Sequence, residues 1–195
     1  MENKQIKSKK RVRDLGEVYT NQREIDAMLD LVKPAFDTYN SKFFEPACGN
    51  GNFLVSILNR KLDVIDFLSL KGHKRDFAIL QSIASIYAID INRDNVIESR
   101  CRLFNIVNNR YDLSDEFSYI LKWVLKRNII VGDSINKDYD IIFMEYLFND
   151  EDLTFSGKEF RIWDEYLENK RFDEIYTKGR KLTSIKERYY LEKRC

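Results

Sequence analysis

The stretch FFEPACGNGNFL, residues 43–54, decides the fold class of this chain. An apolar run comes first, Gly49 and Gly51 follow one residue apart, and an apolar segment then resumes. Glycine between a strand and a helix lets the backbone approach a ligand closely, and the first turn of the helix offers free N–H donors. We therefore predict a strand over residues 42–45, a ligand-binding turn, and a helix over residues 52–62.

Three further apolar runs have the length of strands, namely IYAID (86–90), NIIVG (128–132) and YDIIFM (139–144). Apolar periodicity and helix stop signals predict helices over residues 21–34 (with Asn21 as N-cap), 63–85 (irregular), 93–107 and 116–126. Apolar strands separated by helices are typical of a parallel sheet. We therefore expect an α/β fold with helices on both faces of a parallel sheet.

Composition limits the class of protein. The 195 residues are 44% hydrophobic, and Lys+Arg 33 nearly balance Asp+Glu 32, so overall charge neither requires nor excludes a polyanionic partner. Three scattered cysteines are too few for a disulfide framework or a zinc site. No apolar stretch approaches the ~20 residues of a membrane span. We expect a reduced, cytoplasmic protein with no metal site and no membrane contact.

Both ends of the chain are strongly charged. Residues 1–13 hold six basic residues and one acid, while residues 149–168 are acidic and residues 170–194 are basic with interleaved aromatics. A frayed terminus and a solvated helical face explain such segments, and so does contact with nucleic acid or a partner. We predict a basic arm over 1–13, a cofactor domain over 14–148, and a charged, mostly helical tail over 149–195.

Two acids stand where predicted strands end. Asp90 ends IYAID, and Asp133 directly follows NIIVG. The carboxyl ends of parallel strands line one crevice, where ligands bind. There Asp90 offers two acceptor oxygens for ribose hydroxyls, and Asp133 can accept from an adenine amino group. Leu54 stands where a nicotinamide fingerprint needs a third glycine, so the pattern favours a different adenosine ligand, although each acid could also be a helix cap or turn former.

Together these motifs resemble the adenine-specific DNA methyltransferases. GEVYT (16–20) resembles that family's N-terminal cofactor motif, although Asn21 replaces its proline. FFEPACGNGNFL resembles the glycine motif, IYAIDIN the ribose-binding strand and NIIVGDSI the adenine-contacting strand. The resemblance covers about residues 14–145. It implies a Rossmann-like methyltransferase fold, truncated after the fourth strand, with S-adenosylmethionine as cofactor.

The resemblance also implies a role for each matching residue in the cofactor site. Thr20 would touch the methionine end of the cofactor, and Glu45 and Ala47 would line its methionine group. Gly49 and Gly51 would give the close backbone approach, Asp90 would hold the ribose, and Asp133 would hold the adenine amino group.

The expected catalytic loop departs from the family pattern. The family places Asn or Asp, two prolines and an aromatic after the fourth strand, whereas this chain has Glu145-Tyr146-Leu147-Phe148. By resemblance, Glu145 would accept a hydrogen bond from the target amine, and Tyr146 or Phe148 would stack on the flipped base. Methyl transfer depends on near-attack geometry, so the loss of both prolines bears directly on catalysis.

Three functional hypotheses follow. The first is a methyltransferase acting on adenine in DNA, with a partner subunit for target recognition. The second is a catalytically inactive pseudo-methyltransferase that serves as a binding or scaffold subunit in restriction-modification or phage defence. The third is a methyltransferase for RNA, a protein or a small molecule.

Overall fold

The computed structural model describes residues 20–136 and 138–162. The described residues up to Asn136 form one compact unit, and those from Asp138 onward form a second. The predicted basic arm, residues 1–13, lies outside the described residues, as do residues 163–195 of the predicted tail.

The first unit is a three-stranded parallel sheet flanked by α-helices. In chain order its elements are α1 (Gln22–Asp30), a 3-10 helix (Lys33–Phe36), β1 (Phe43–Glu45), α2 (Asn52–Phe67), α3 (Gly72–Ala84), β2 (Ile86–Asp90), α4 (Arg93–Arg110), α5 (Asp115–Asn128) and β3 (Ile129–Val131). The strand order is β1-β2-β3, with both pairings parallel. This arrangement confirms the predicted α/β class and the parallel pairing of these three strands.

Strand β2 lies at the centre of the core. All five of its residues are buried, and successive side chains of a strand point to opposite faces, so both faces of the sheet are covered here. Helices α3, α4 and α5 pack against this strand. Glu45 pairs with Ala88, and Asp90 pairs with Val131, so the three strands end at one edge of the sheet. That edge positions the candidate site.

The predicted irregular helix over 63–85 is two helices in the structure. Helix α2 continues to Phe67 because its buried face persists through Leu62 and Ile65. The chain then breaks at Ser69, which has φ 54°, and α3 begins at Gly72, which has φ 55°. Positive φ values end a right-handed helix, so the break follows from the backbone at these two positions.

Helix α2 also carries a fully buried lysine. The Nζ of Lys61 donates to the carbonyl oxygens of Tyr39 (3.0 Å) and Ser41 (2.5 Å) and to Ser85 Oγ (2.8 Å). Burial lowers the pKa of Lys61 to about 7, while the three oxygen acceptors oppose that shift by favouring the charged form. Lys61 thereby fastens the segment before β1 to the end of α3.

The second unit is an antiparallel hairpin of β4 (Ile142–Asn149) and β5 (Thr154–Arg161). Asn149 Oδ1 accepts from the backbone amides of Glu151 and Asp152, which closes the turn between the strands. Aromatic side chains pair across the strands, with the rings of Phe148 and Phe155 at 5.8 Å. Turn chemistry and aromatic pairing together stabilise the hairpin.

The hairpin corrects three predictions. The fourth strand is not a parallel strand at 139–144, because residues 142–149 pair antiparallel with 154–161 in a separate sheet. The predicted tail is extended rather than helical where it forms β5. The first unit ends at Asn136 instead of 148, because residues 142–148 belong to the hairpin.

Candidate functional site

The glycine loop between β1 and α2 has left-handed backbone at both glycines. Gly49 has φ 54° and Gly51 has φ 85°. A Cβ on Gly51 would lie 2.8 Å from Ser99 Oγ and 3.2 Å from Ser99 Cα, both on α4. Gly51 is therefore required by the backbone conformation and by the close approach of α4, whatever ligand the loop serves.

Asp90 ties the end of β2 to the glycine loop. Its Oδ2 accepts from the Gly49 amide (2.8 Å), and its Oδ1 accepts from the Asn92 amide (2.8 Å) and from Asn95 Nδ2 (3.2 Å). Only 8% of Asp90 is exposed. A carboxylate has about four lone-pair positions, and three are used here, so one on Oδ2 remains for an external donor.

Asp133 lies at the same edge, beside the end of β3. The Gly132 amide donates to the Asp90 carbonyl (3.1 Å), which places the residue after it next to β2. Asp133 Oδ1 accepts from the Ile135 and Asn136 amides at 3.0 and 3.2 Å, the pattern of an Asx turn. Within the described part of the chain, Asp133 Oδ2 accepts no hydrogen bond, so this oxygen is available to a ligand.

The remaining predicted cofactor residues border the glycine loop. Glu45 Oε1 accepts from the Ala47 amide at 3.3 Å, and burial raises the pKa of the Glu45 carboxyl while this hydrogen bond opposes the rise. The Thr20 carbonyl accepts from Asn52 Nδ2 at 3.4 Å, which joins the segment before α1 to the start of α2. All seven residues predicted to bind the cofactor therefore belong to the first unit and lie in or next to the loop and the strand ends.

Helix α4 supplies loop contacts that the sequence did not reveal. We call Asn95, Glu98, Ser99 and Arg102 the α4 clamp. Its hydrogen bonds run from Asn95 Nδ2 to Asp90 Oδ1 (3.2 Å), from Asn50 Nδ2 to Glu98 Oε1 (3.3 Å), from Ser99 Oγ to Gly49 O (3.1 Å), and from Arg102 Nη1 to Asn50 O (2.7 Å) and Asn52 Oδ1 (2.8 Å). The i, i+3, i+4, i+7 spacing that aligns these residues was visible in the sequence, but a polar stripe normally indicates a solvated helix face.

The loop cysteine is not a nucleophile. Cys48 is buried, its Sγ donates to the Gly49 carbonyl at 3.6 Å, and burial together with the charge of Asp90 raises its pKa to about 12. A thiol with so high a pKa is not ionised at neutral pH, so it does not react as a thiolate. Its backbone amide instead donates to the Ile89 carbonyl at 2.9 Å and extends the contact between the loop and β2.

The three predicted catalytic residues lie in the second unit, within β4. Glu145 and Tyr146 are 8% and 7% exposed, and they pair with Lys158 and Gly157 of β5. The Tyr146 ring lies 6.2 Å from the rings of Phe148 and of Phe155. The expectation that residues 145–148 form a loop is wrong, because the strand continues through these residues to Asn149, while their catalytic role stays a prediction.

No protein-family model, curated protein or solved structure matches this chain. The methyltransferase hypothesis therefore depends on the motifs and on the geometry of the sheet edge. Among residues 20–136 and 138–162, no group of three His, Cys, Asp or Glu residues is arranged to hold a metal ion. None of the helices in these segments is long and apolar enough to cross a membrane.

Proposed function

We propose that this chain binds S-adenosylmethionine at the carboxyl edge of β1, β2 and β3 and transfers its methyl group to adenine in DNA, with a partner subunit for target recognition. The observation that carries the proposal is the bonding of Asp90. Its carboxylate accepts from Gly49, which is 41 positions away in the chain, and its carbonyl accepts from Gly132. Motifs that the resemblance assigns to a single cofactor thus lie together at one edge.

The loop presents donors to a ligand. Within the described residues, the backbone amides of Asn50, Asn52, Phe53 and Leu54 donate no hydrogen bond, and the first turn of α2 has no side-chain cap. Such amides favour an electron-rich group, and here they would face the carboxylate of the methionine end. Glu45 adds a carboxylate beside them, which suits the ammonium group of the same end.

The strand ends present acceptors. Asp90 has one lone-pair position left, which fits one ribose hydroxyl rather than the two that the sequence suggested. Asp133 Oδ2 provides an acceptor for the adenine amino group. Donors on the loop and acceptors on β2 and β3 match the polarity of the cofactor from its methionine end to its adenine. When bound, S-adenosylmethionine supplies an electrophilic methyl group.

The position of Glu145 favours a second candidate function, that of a cofactor-binding subunit without catalysis. A group that aligns a target amine must reach that amine, whereas Glu145 is buried in a paired strand and Tyr146 packs on other aromatic rings. The two candidates share the cofactor site and differ only in methyl transfer.

Transfer of a labelled methyl group from S-adenosylmethionine to DNA separates the two candidates. The enzyme hypothesis predicts incorporation that is lost in Glu145→Gln and kept in Glu159→Gln, a matched change at an exposed position of β5. A wild-type protein that binds the cofactor but transfers no methyl group would support the second candidate. Incorporation that survives Glu145→Gln would remove Glu145 from the mechanism.

Binding to DNA has its own test. Lys and Arg contacts to phosphates release counterions, so the affinity of a DNA-binding protein falls steeply with salt. We expect this dependence for a double-stranded DNA probe. Binding that is absent, or insensitive to salt, would contradict DNA as the substrate and turn attention to RNA, protein or small-molecule acceptors.

A further inference from the structure

Four consecutive backbone carbonyls of the glycine loop, those of residues 48–51, accept hydrogen bonds within the protein. The Cys48 carbonyl accepts from the Gly51 amide (2.9 Å), and the Gly51 carbonyl accepts from the Val55 amide (2.9 Å). The two carbonyls between them, those of Gly49 and Asn50, accept from Ser99 and Arg102 of the α4 clamp. Fixing the carbonyls in this way orients the remaining loop amides away from these partners.

We propose that Arg102 is a positioning residue for the cofactor loop, an inference that rests on the proposed function of that loop. Its Nη1 donates to two parts of the loop, the Asn50 carbonyl at its apex and the Asn52 side chain at the start of α2. Both bonds are charge-assisted and short, so they are the strongest ones in the clamp.

The role of Arg102 differs from that of the nearby Arg100. Arg100 Nε donates to the Ile129 carbonyl (2.7 Å), and its Nη2 donates to the Lys126 carbonyl (3.0 Å), so the hydrogen bonds of Arg100 go to the end of α5 rather than to the loop. The two arginines lie on the same helix, both are partly buried, and both donate to backbone carbonyls. Arg100 is therefore a matched control for the loss of a guanidinium.

The test is amide hydrogen exchange of Gly49 and Gly51 in the ligand-free protein, compared between Arg102→Met and Arg100→Met. Both glycine amides donate inside the site, so their exchange reports opening of the loop. Loss of a hydrogen bond to a charged donor predicts exchange that is roughly tenfold to a hundredfold faster in Arg102→Met. Exchange of the β2 amides, measured alongside, corrects for any change in global stability.

Arg102→Lys provides a rescue. Lysine keeps a cationic donor that can reach a carbonyl but lacks the planar fork of arginine, so we expect intermediate glycine exchange. Equal acceleration of Gly51 exchange in Arg102→Met and Arg100→Met would overturn the proposal. So would an Arg102→Lys variant that exchanges as fast as Arg102→Met.

Titration with S-adenosylmethionine links the loop to the ligand. We expect a dissociation constant raised roughly tenfold or more in Arg102→Met and unchanged in Arg100→Met. Faster loop exchange with unchanged affinity would overturn the positioning role. Absence of binding by the wild type would refute the proposed function of the loop, whereas the exchange comparison separately decides whether Arg102 holds it.

Discussion

The substitution Gly51→Ala tests the packing of α4 against the glycine loop. Gly51 has φ 85°, and a left-handed residue other than glycine costs about 1–2 kcal/mol. The added Cβ would also meet Ser99 Oγ at 2.8 Å and Ser99 Cα at 3.2 Å, and overpacking of this kind costs about 1–3 kcal/mol. Alanine restricts the unfolded chain and returns about 0.4–1 kcal/mol. We therefore expect a net loss of about 1–4.6 kcal/mol.

Gly72→Ala separates the two contributions. Gly72 also has positive φ, 55°, but a Cβ there would meet nothing within 4 Å. Gly72→Ala should therefore lose only the backbone contribution, about 0–1.6 kcal/mol after the unfolded-state gain. The difference between the two variants measures the contact with Ser99, and the double variant Gly51→Ala/Ser99→Gly should cost less than the sum of its parts.

The assay is equilibrium unfolding in urea, with the free energy of unfolding and the m-value fitted for each variant. Losses for Gly51→Ala and Gly72→Ala that agree within about 0.5 kcal/mol would refute the close approach of α4 to the loop, as would strict additivity in the double variant.

Three further predictions concern buried or partly buried polar groups. Asp90→Asn should lower the free energy of unfolding by about 1–3 kcal/mol in urea, because its NH2 group would face a backbone N–H; no change would contradict the three bonds to Asp90. The raised pKa of Glu45 contributes stability that is present below the unfolded pKa of 4.5 and is lost as pH rises through the folded pKa. The free energy of unfolding of Glu45→Gln should therefore increase relative to that of the wild type as pH rises across this range. If the free energies of unfolding of the wild type and Glu45→Gln changed in parallel with pH, the raised pKa of Glu45 would be contradicted. The pKa of Lys61 is lowered to about 7 from 10.5, so the unfolded chain binds more protons in this window and wild-type stability should rise with pH relative to Lys61→Met. The absence of that relative rise would show that the carbonyl acceptors keep Lys61 charged.

The sequence predicted the sheet edge well because its signals are local. The apolar runs that became β1, β2 and β3 have few alternative structures, and Gly49 and Gly51 mark the turn between β1 and α2. Strand ends then place Asp90 and Asp133 at one edge through the geometry of parallel pairing alone.

The hairpin was mispredicted because an apolar run does not show which strand it pairs with or in which direction. YDIIFM reads equally well as a buried parallel strand and as one half of a hairpin. The hairpin is favoured by Asn149, whose side chain closes the turn, and by Phe155 and Phe160, which pack on aromatic residues of β4. These residues were assigned to a charged tail because of the overall composition of that segment. Overall composition does not reveal a turn-forming asparagine or individual aromatic pairs.

Lys61 and the α4 clamp were missed for a different reason. Helical periodicity places lysine, asparagine and arginine on the solvated face, and that rule holds unless the backbone nearby offers unpaired carbonyls. Here the carbonyls of Tyr39, Ser41 and Asn50 accept from these side chains. Such acceptors belong to distant parts of the chain, so tertiary structure alone reveals them.

Calorimetric titration of S-adenosylmethionine tests the central claim most directly, with Asp133→Asn as the comparison. Asp90→Ala is a poor control because the same carboxylate holds the Gly49 amide, whereas Asp133→Asn keeps an oxygen for the turn amides and changes the free Oδ2. The account predicts saturable micromolar binding of S-adenosylmethionine by the wild type. It predicts weaker binding by Asp133→Asn, with a free energy of unfolding equal to that of the wild type. A folded wild-type protein that gives no binding signal would contradict it.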